Sequence, residues 1–298
     1  MKFSNTVTGI FWMVITGLLF VSVTAVVKFL GTSMPSSQAA FLRYVLGMVL
    51  LVPLFPKLIR ISFSYGILKI FVVRGFLHAF GVLFWFYAMA RIPLADVTAI
   101  NYLSPIFVTI GAAIFLKENM SFRRIIAIGI AFIGALIILR PGFQSIDIGH
   151  IAMLAASLVF AGSYLLAKRA SLLASPAIVV AMLSIIVPIV LAPFAYLDWV
   201  PPSNKELLIL FLVAVLATSG HYTMTLALRE APITITQPVT FLQLVWAVLL
   251  GYFIFSEAMD IWVVFGAIII ILSTTFINWR ELYLHRKILT PPNTAAKV

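Results

Sequence analysis

Ten apolar stretches recur along this chain, at 7–30, 37–55, 68–90, 94–116, 123–139, 148–167, 174–196, 207–228, 233–255 and 261–277. Each is close to the about 20 residues that an α-helix needs to cross the hydrocarbon of a bilayer. Backbone that enters lipid finds no water to bond and must satisfy its own N–H and C=O groups, which a helix does within one segment. The expected fold is an all-α polytopic membrane protein with ten transmembrane helices. Hydrophobic residues make up 63% of the chain and charged residues 10%, at a mean hydropathy of +1.16. That leaves too little polar surface for a soluble globule and no room for a soluble domain.

A net charge of +11 would point to nucleic acid in a soluble protein. Here the basic residues sit between the apolar runs, so they report orientation and no nucleic-acid partner is expected. With the N-terminus in the cytoplasm, ten spans leave only Lys28, Arg91, Arg140 and Lys205 outside, with Arg43 inside a span. The remaining Lys and Arg fall inside, which satisfies the positive-inside bias and puts both termini in the cytoplasm. The chain has no cysteine, which removes disulfides, thiolate nucleophiles and thiolate metal ligands. The first apolar run is too long for the h-region of a cleavable signal, and no A-x-A-like site follows it.

The chain also repeats itself. The stretch PLADVTAINYLSPIFVTIGAAIFLKE, 93–118, overlays a later copy so that Pro93 falls on Pro232, Leu103 on Leu242 and Glu118 on Glu257. A neighbouring register brings Gly9 to Gly149, Met13 to Met153, Phe20 to Phe160, Lys28 to Lys168 and Pro53 to Pro193, while Gly81 meets Gly220. Two five-span repeats, 7–140 and 147–279, are followed by a basic cytoplasmic tail, 280–298. Five is odd, so the second repeat enters the membrane inverted relative to the first. Inverted repeats are the architecture of alternating-access carriers, whose substrate is held near the midplane between the halves.

The run FYAMARIPLADVTAINYLSPIFVTIGAAIFLKENMSFRRIIAIGIAFIGALIIL and its counterpart ALREAPITITQPVTFLQLVWAVLLGYFIFSEAMDIWVVFGAIIII resemble the two EamA-type domains of the drug/metabolite transporter superfamily. The likeness extends over about 9–277. It rests on an alanine-rich turn, a proline, a polar mid-span and a boundary Glu. The resemblance implies a carrier of amino acids, nucleotide-like metabolites, cofactors or drugs; members that take up S-adenosylmethionine or riboflavin into bacteria share the pattern. The expected function is a secondary transporter of a small polar metabolite, for example S-adenosylmethionine, across a bacterial inner membrane. A lipid or lipid-linked sugar flippase of the same superfamily is the alternative. Catalysis within the membrane is not expected, since H-E-x-x-H, G-x-S-x-G, paired mid-span aspartates and cysteine are all absent. No cofactor or metal is called for, and the sequence leaves the oligomeric state open, a monomer being compatible with the mechanism.

The candidate substrate residues come from the polar middles of the spans. Thr98, Asn101, Tyr102 and Ser104 fall within about two turns of the fourth span, where Pro105 loosens the helix by leaving the Asn101 carbonyl without its donor. The ninth span offers Thr236, Gln237, Thr240 and Gln243 around Pro238. These amides and hydroxyls suit a ligand with several hydrogen-bonding groups, or alternatively tie neighbouring helices together. Trp85, Tyr164, Tyr222 and Trp246 are candidates to stack on a planar substrate. His78 and His221, about one turn apart in the overlay, are candidates for proton coupling, since imidazole changes charge near neutrality.

Arg43 reads either as an anchor for a carboxylate or phosphate or as a structural residue that snorkels outward; its F-x-R setting resembles a scaffold feature of the family and favours the second. Arg74, Lys28 and Lys168 read as interfacial, and His150 as solvated at a span entrance. Glu118 and Glu257 are expected to end their helices or pair with neighbours such as Lys117. The small multidrug-resistance relatives carry a membrane-embedded glutamate in the first span, where this chain has Ser22 and Thr24, which argues against proton exchange through such a carboxylate.

Overall fold

The computed structural model describes residues 3–289 apart from 32, 55, 57, 59, 105, 108–109, 111–121, 141–145, 232–235, 237–238, 241 and 259. Among the described residues the chain forms ten α-helices and no strand: α1 (Phe3–Leu30), α2 (Ser36–Met48), α3 (Tyr65–Met89), α4 (Leu94–Asn101), α5 (Phe122–Leu139), α6 (Ile148–Leu173), α7 (Pro176–Leu197), α8 (Asn204–Glu230), α9 (Leu242–Phe255) and α10 (Ile261–Leu289). Six segments, in α1, α2 with its extension, α3, α6, α7 and α8, are long and apolar enough to cross a membrane. Shorter apolar helices, Ile125–Ile138, Val245–Phe255 and Ile261–Ser273, accompany them. The chain is a polytopic membrane protein. Phe11, Phe29, Phe76, Ile133, Ile189 and Phe253 are among the large apolar side chains on its outer surface, where a soluble protein would place polar ones.

Local chemistry sets where the helices start and bend. Asp147 accepts from the Gly149 N–H at 2.6 Å and starts α6. Ser203 and Glu206 form a reciprocal capping box at the head of α8. Pro176 opens α7 at a position where its missing N–H costs no bond. The α2 helix tightens into a 3-10 turn over Val49–Leu54, which contains Pro53. The fourth span breaks after Asn101, where Tyr102 N–H turns back to the Ala99 carbonyl at 3.1 Å and Leu103 N–H to Ile100 at 3.0 Å, and helical bonding resumes with Phe107 N–H on the Leu103 carbonyl at 3.0 Å. Pro105 and Pro238 lie outside the described residues. The tail that the sequence separates from the last span begins as helix, because α10 continues to Leu289 through a stretch with no glycine or proline.

Packing joins the first five helices to the last five. The α1 helix lies along α8, and α3 along α6; α2 packs on α7, α4 on α9 and α5 on α10. The same contact recurs at equivalent positions of the two repeats across these helix pairs. The Phe160 ring of α6 covers Gly81 of α3, and the Phe20 ring of α1 covers Gly220 of α8. Gly9 sits against Ala231, and Gly149 against Ile92. Each glycine lets a helix come close to its partner where any side chain would collide.

Candidate functional site

The helices leave a cavity between them with about 1230 Å³ of atom-free space, its open side included. Its wall draws on α1, α2, α3, α4 with the turn after it, α6, α8, the Thr240 turn and α9. Apolar and aromatic groups dominate: Met13, Phe20, Val82, Trp85, Phe86, Phe160 and Met224. Polar groups are few and convergent. Asn101, Tyr102 and Ser104 come from the broken fourth span, Thr240 and Gln243 from the ninth. Tyr102 Oη donates to the Thr240 carbonyl at 3.3 Å, so the two polar mid-spans touch. Ser104 Oγ donates to the Ser157 carbonyl of α6 at 2.9 Å.

The second polar group sits on α2, α3 and α8. His78 and His221 stand edge to face with ring centroids 5.0 Å apart. Phe160 flanks His78 at 5.2 Å and Phe20 flanks His221 at 5.1 Å. His78 Nδ1 faces Ser163 Oγ at 3.2 Å. Arg43 is 5% exposed and holds its guanidinium carbon 3.9 Å above the centroid of its neighbour Tyr44. Tyr164 stacks on Phe160 at 5.9 Å and completes this wall.

Of the residues that the sequence singles out, Asn101, Tyr102, Ser104, Trp85, Tyr164, Thr240, Gln243, His78, His221 and Arg43 all line the cavity. Tyr222 and Trp246 do not; each is 42% exposed on the outer surface. Tyr222 follows His221, and one residue turns a helix by about 100°, enough to move it off the cavity face. Gln237 lies outside the described residues. Thr16, Phe20, Tyr44 and Phe160 line the cavity without having been singled out as site residues. The match of Phe20 to Phe160 in the repeat was the available signal for two of them. Thr16 gives no such sign, and binds Thr223 across the α1–α8 contact at 2.8 Å.

Three readings of charged residues need correction, and a fourth residue, Lys28, has partners that its reading did not name. Arg43 does not snorkel outward but is folded over Tyr44 toward the cavity. Arg74 is not interfacial: it is 1% exposed and donates to the Val179 carbonyl at 3.1 Å. His150 is buried, with Nε2 3.2 Å from Asp96. Lys28 binds Glu257 at 2.6 Å and the Ile92 carbonyl at 3.0 Å. The physical reason is common to all of them, since a charge close to the membrane is held more cheaply by a carbonyl, a carboxylate or an aromatic face than by lipid. Lys168 likewise donates to the Leu228 carbonyl at 2.5 Å.

A second cluster closes one end of the bundle. Glu257 holds Lys28 and also accepts from the Leu94 N–H at 3.2 Å, capping α4. Arg140 pairs with Asp260, and His150 with Asp96. Each of these three pairs joins a residue before 141 to one after 146. Beside them, Gln38 donates to the Val200 carbonyl and accepts from its N–H at 2.9 Å.

Comparison with known proteins agrees with a transport architecture. The EamA-like transporter family model matches residues 7–140 and 147–279. The chain is 31% identical to an S-adenosylmethionine uptake transporter of Rickettsia prowazekii, over 92% of this chain and 93% of that one. It is 30% identical to a riboflavin transporter of Vibrio cholerae, over 94% and 95%. A pseudopaline exporter of Pseudomonas aeruginosa is 25% identical over 89% and 94%. A solved crystal structure with 14% identity superposes with a TM-score of 0.61 over 95% of this chain and 99% of that one, a likeness of fold alone.

Proposed function

The chain belongs to the EamA-like transporter family, and from that premise we propose a secondary carrier that moves a small polar metabolite across a bacterial inner membrane by alternating access. It is a membrane-embedded transporter of small molecules and not an enzyme. The carrying observation is the cavity, which has an apolar, aromatic wall with a few convergent polar groups and takes its wall from both halves of the chain. Trp85, Phe20, Phe86 and Phe160 supply faces for a planar ring, while Asn101, Gln243, Ser104 and Tyr102 supply donors and acceptors around it. A nucleoside-like or cofactor-like molecule of the S-adenosylmethionine kind matches that inventory. Two inverted five-helix repeats in ten spans, with both termini cytoplasmic, are part of this reading. Its support is the pairing of helices, because α1 on α8 and α6 on α3 exchange when each helix is replaced by the one five places away, and the other three pairs map onto themselves.

In this reading the halves rock against each other, and the ion pairs of Lys28 and Arg140 with the His150–Asp96 contact hold them shut at the periplasmic end. Opening that end separates Lys28 from Glu257, Arg140 from Asp260 and His150 from Asp96. Substrate binding then selects between the two states by its differential contacts with them.

The test is counterflow in proteoliposomes preloaded with unlabelled S-adenosylmethionine, riboflavin, amino acids or nucleotides. Transient accumulation of the labelled form of one compound is the expected result. Silence across the set with folded protein overturns the metabolite reading and makes lipid scrambling the next measurement.

A further inference from the structure

Charge in the cavity is one-sided. Arg43 lines it, nearly buried, and no Asp or Glu is among the described lining residues. A guanidinium keeps its charge in any protein environment, and the face of Tyr44 offsets only part of it. Around it are polar atoms without partners: His78 Nε2, His221 Nδ1 and Tyr44 Oη have no hydrogen bond among the described residues. His78 is 3% exposed, His221 6% and Tyr44 2%, so water at the surface does not serve these atoms. The Ser163 hydroxyl can donate to His78 Nδ1, which leaves a proton on Nε2 for a ligand. Arg74, one turn before His78, adds a second buried positive charge, but its Nη1 is taken up by the Val179 carbonyl. Unpaired buried polar groups and an uncompensated buried cation are both costly, and within a membrane such groups mark the path of a substrate.

We propose, on the basis of the carrier reading above, that Arg43, His78, His221 and Tyr44 form the receptor for a carboxylate of the transported molecule. The guanidinium supplies the counter-charge and the imidazole and phenol groups supply further donors to the two oxygens. One fixed positive charge on the wall matches a carboxylate better than a doubly charged phosphate. Asn101, Gln243 and the aromatic wall are left for the rest of the molecule. The substrate class narrows accordingly to metabolites that carry an amino-acid carboxylate on a planar or apolar body. Riboflavin, which has none, is a poor ligand on this assignment.

Ligand-induced thermal stabilisation of the purified full-length protein tests this without requiring transport. The probes are pairs that differ only in the carboxylate: S-adenosylmethionine with its decarboxylated form, tryptophan with tryptamine, and methionine with 3-(methylthio)propylamine. In at least one pair the carboxylate form is expected to stabilise the protein at about 10- to 100-fold lower concentration. Arg43→Gln removes the difference between the partners, and Arg43→Lys retains part of it. Equal stabilisation within every pair, or none by any probe, overturns the assignment even if Arg43→Gln fails to fold, because the comparison is made on the unaltered protein. A carboxylate preference in binding with silent counterflow would overturn the carrier reading alone. Counterflow without a carboxylate preference would overturn the receptor alone.

Discussion

Hydroxyl groups in this protein are mostly spent on the bundle itself, while two amides are not. Ser104 has a single proton, and the Ser157 carbonyl at 2.9 Å takes it ahead of Asn101 Oδ1 at 3.3 Å. Thr98 and Thr24 return their protons to carbonyls four residues back on their own helices. The Asn101 side-chain nitrogen and the Gln243 amide have no hydrogen bond among the described residues and face the cavity. Asn101→Ala and Gln243→Ala are therefore expected to lower initial transport rates at subsaturating substrate by about 3- to 10-fold each, the worth of one neutral hydrogen bond. Tyr222→Ala and Trp246→Ala are expected to change them by less than about twofold, since both side chains lie on the outer surface. Uptake rates normalised to protein level check all four. Unchanged flux in both amide variants would remove these residues from the site.

At the level of helices, close approach depends on glycine. Gly81 and Gly220 lie under the rings of Phe160 and Phe20, which are also the rings that flank His78 and His221. The same aromatic side chain thus packs a helix pair and positions a wall of the cavity. Gly81→Val or Gly220→Val must displace a ring, at a cost of about 1–3 kcal/mol. Each is expected to lower the thermal midpoint of the detergent-solubilised protein. Gly129→Ala, where nothing lies within 4 Å of the added carbon, does not lower the midpoint and, as a Gly→Ala change inside a helix, raises it slightly. A midpoint unaffected by either valine would mean that the rings have room to move and that these helix contacts are loosely packed.

For the whole molecule, the ionic end provides a handle on the transport cycle. The chain has no cysteine, so introduced pairs report without background. In Lys28→Cys/Glu257→Cys, a short reducible bis-thiosulfonate linker is expected to arrest counterflow, and reductant to restore it. The same linker on either single variant has no such effect. Transport that continues in the cross-linked double variant would show that this end does not open during the cycle. Two ion pairs and the His150–Asp96 contact join the halves at this end, so charge removal at Lys28 alone is expected to alter the balance of states and leave the fold intact.

The apolar runs determine an all-helical membrane protein, because in hydrocarbon the length and composition of a segment decide whether its backbone can be satisfied. The polar mid-span at Asn101–Ser104 and the prolines beside it are legible for the same reason: such groups stand out against lipid-soluble neighbours. So are the matched positions Gly81 with Gly220 and Phe20 with Phe160, although not that each glycine of the pair lies under a phenylalanine from the other half of the chain. What tertiary structure alone decided is direction. A helix buried in lipid is apolar on its outer face as well as its inner one, so the stripe that orients a soluble helix is missing. That is why Tyr222 could not be told from His221, one on the outer surface and one in the cavity. It is also why Arg74 and His150 read as interfacial or solvated until folding supplied the Val179 carbonyl for the first and Asp96 for the second. Charges this close to lipid go where a partner is, and partners from distant parts of the chain are assigned only when the helices pack.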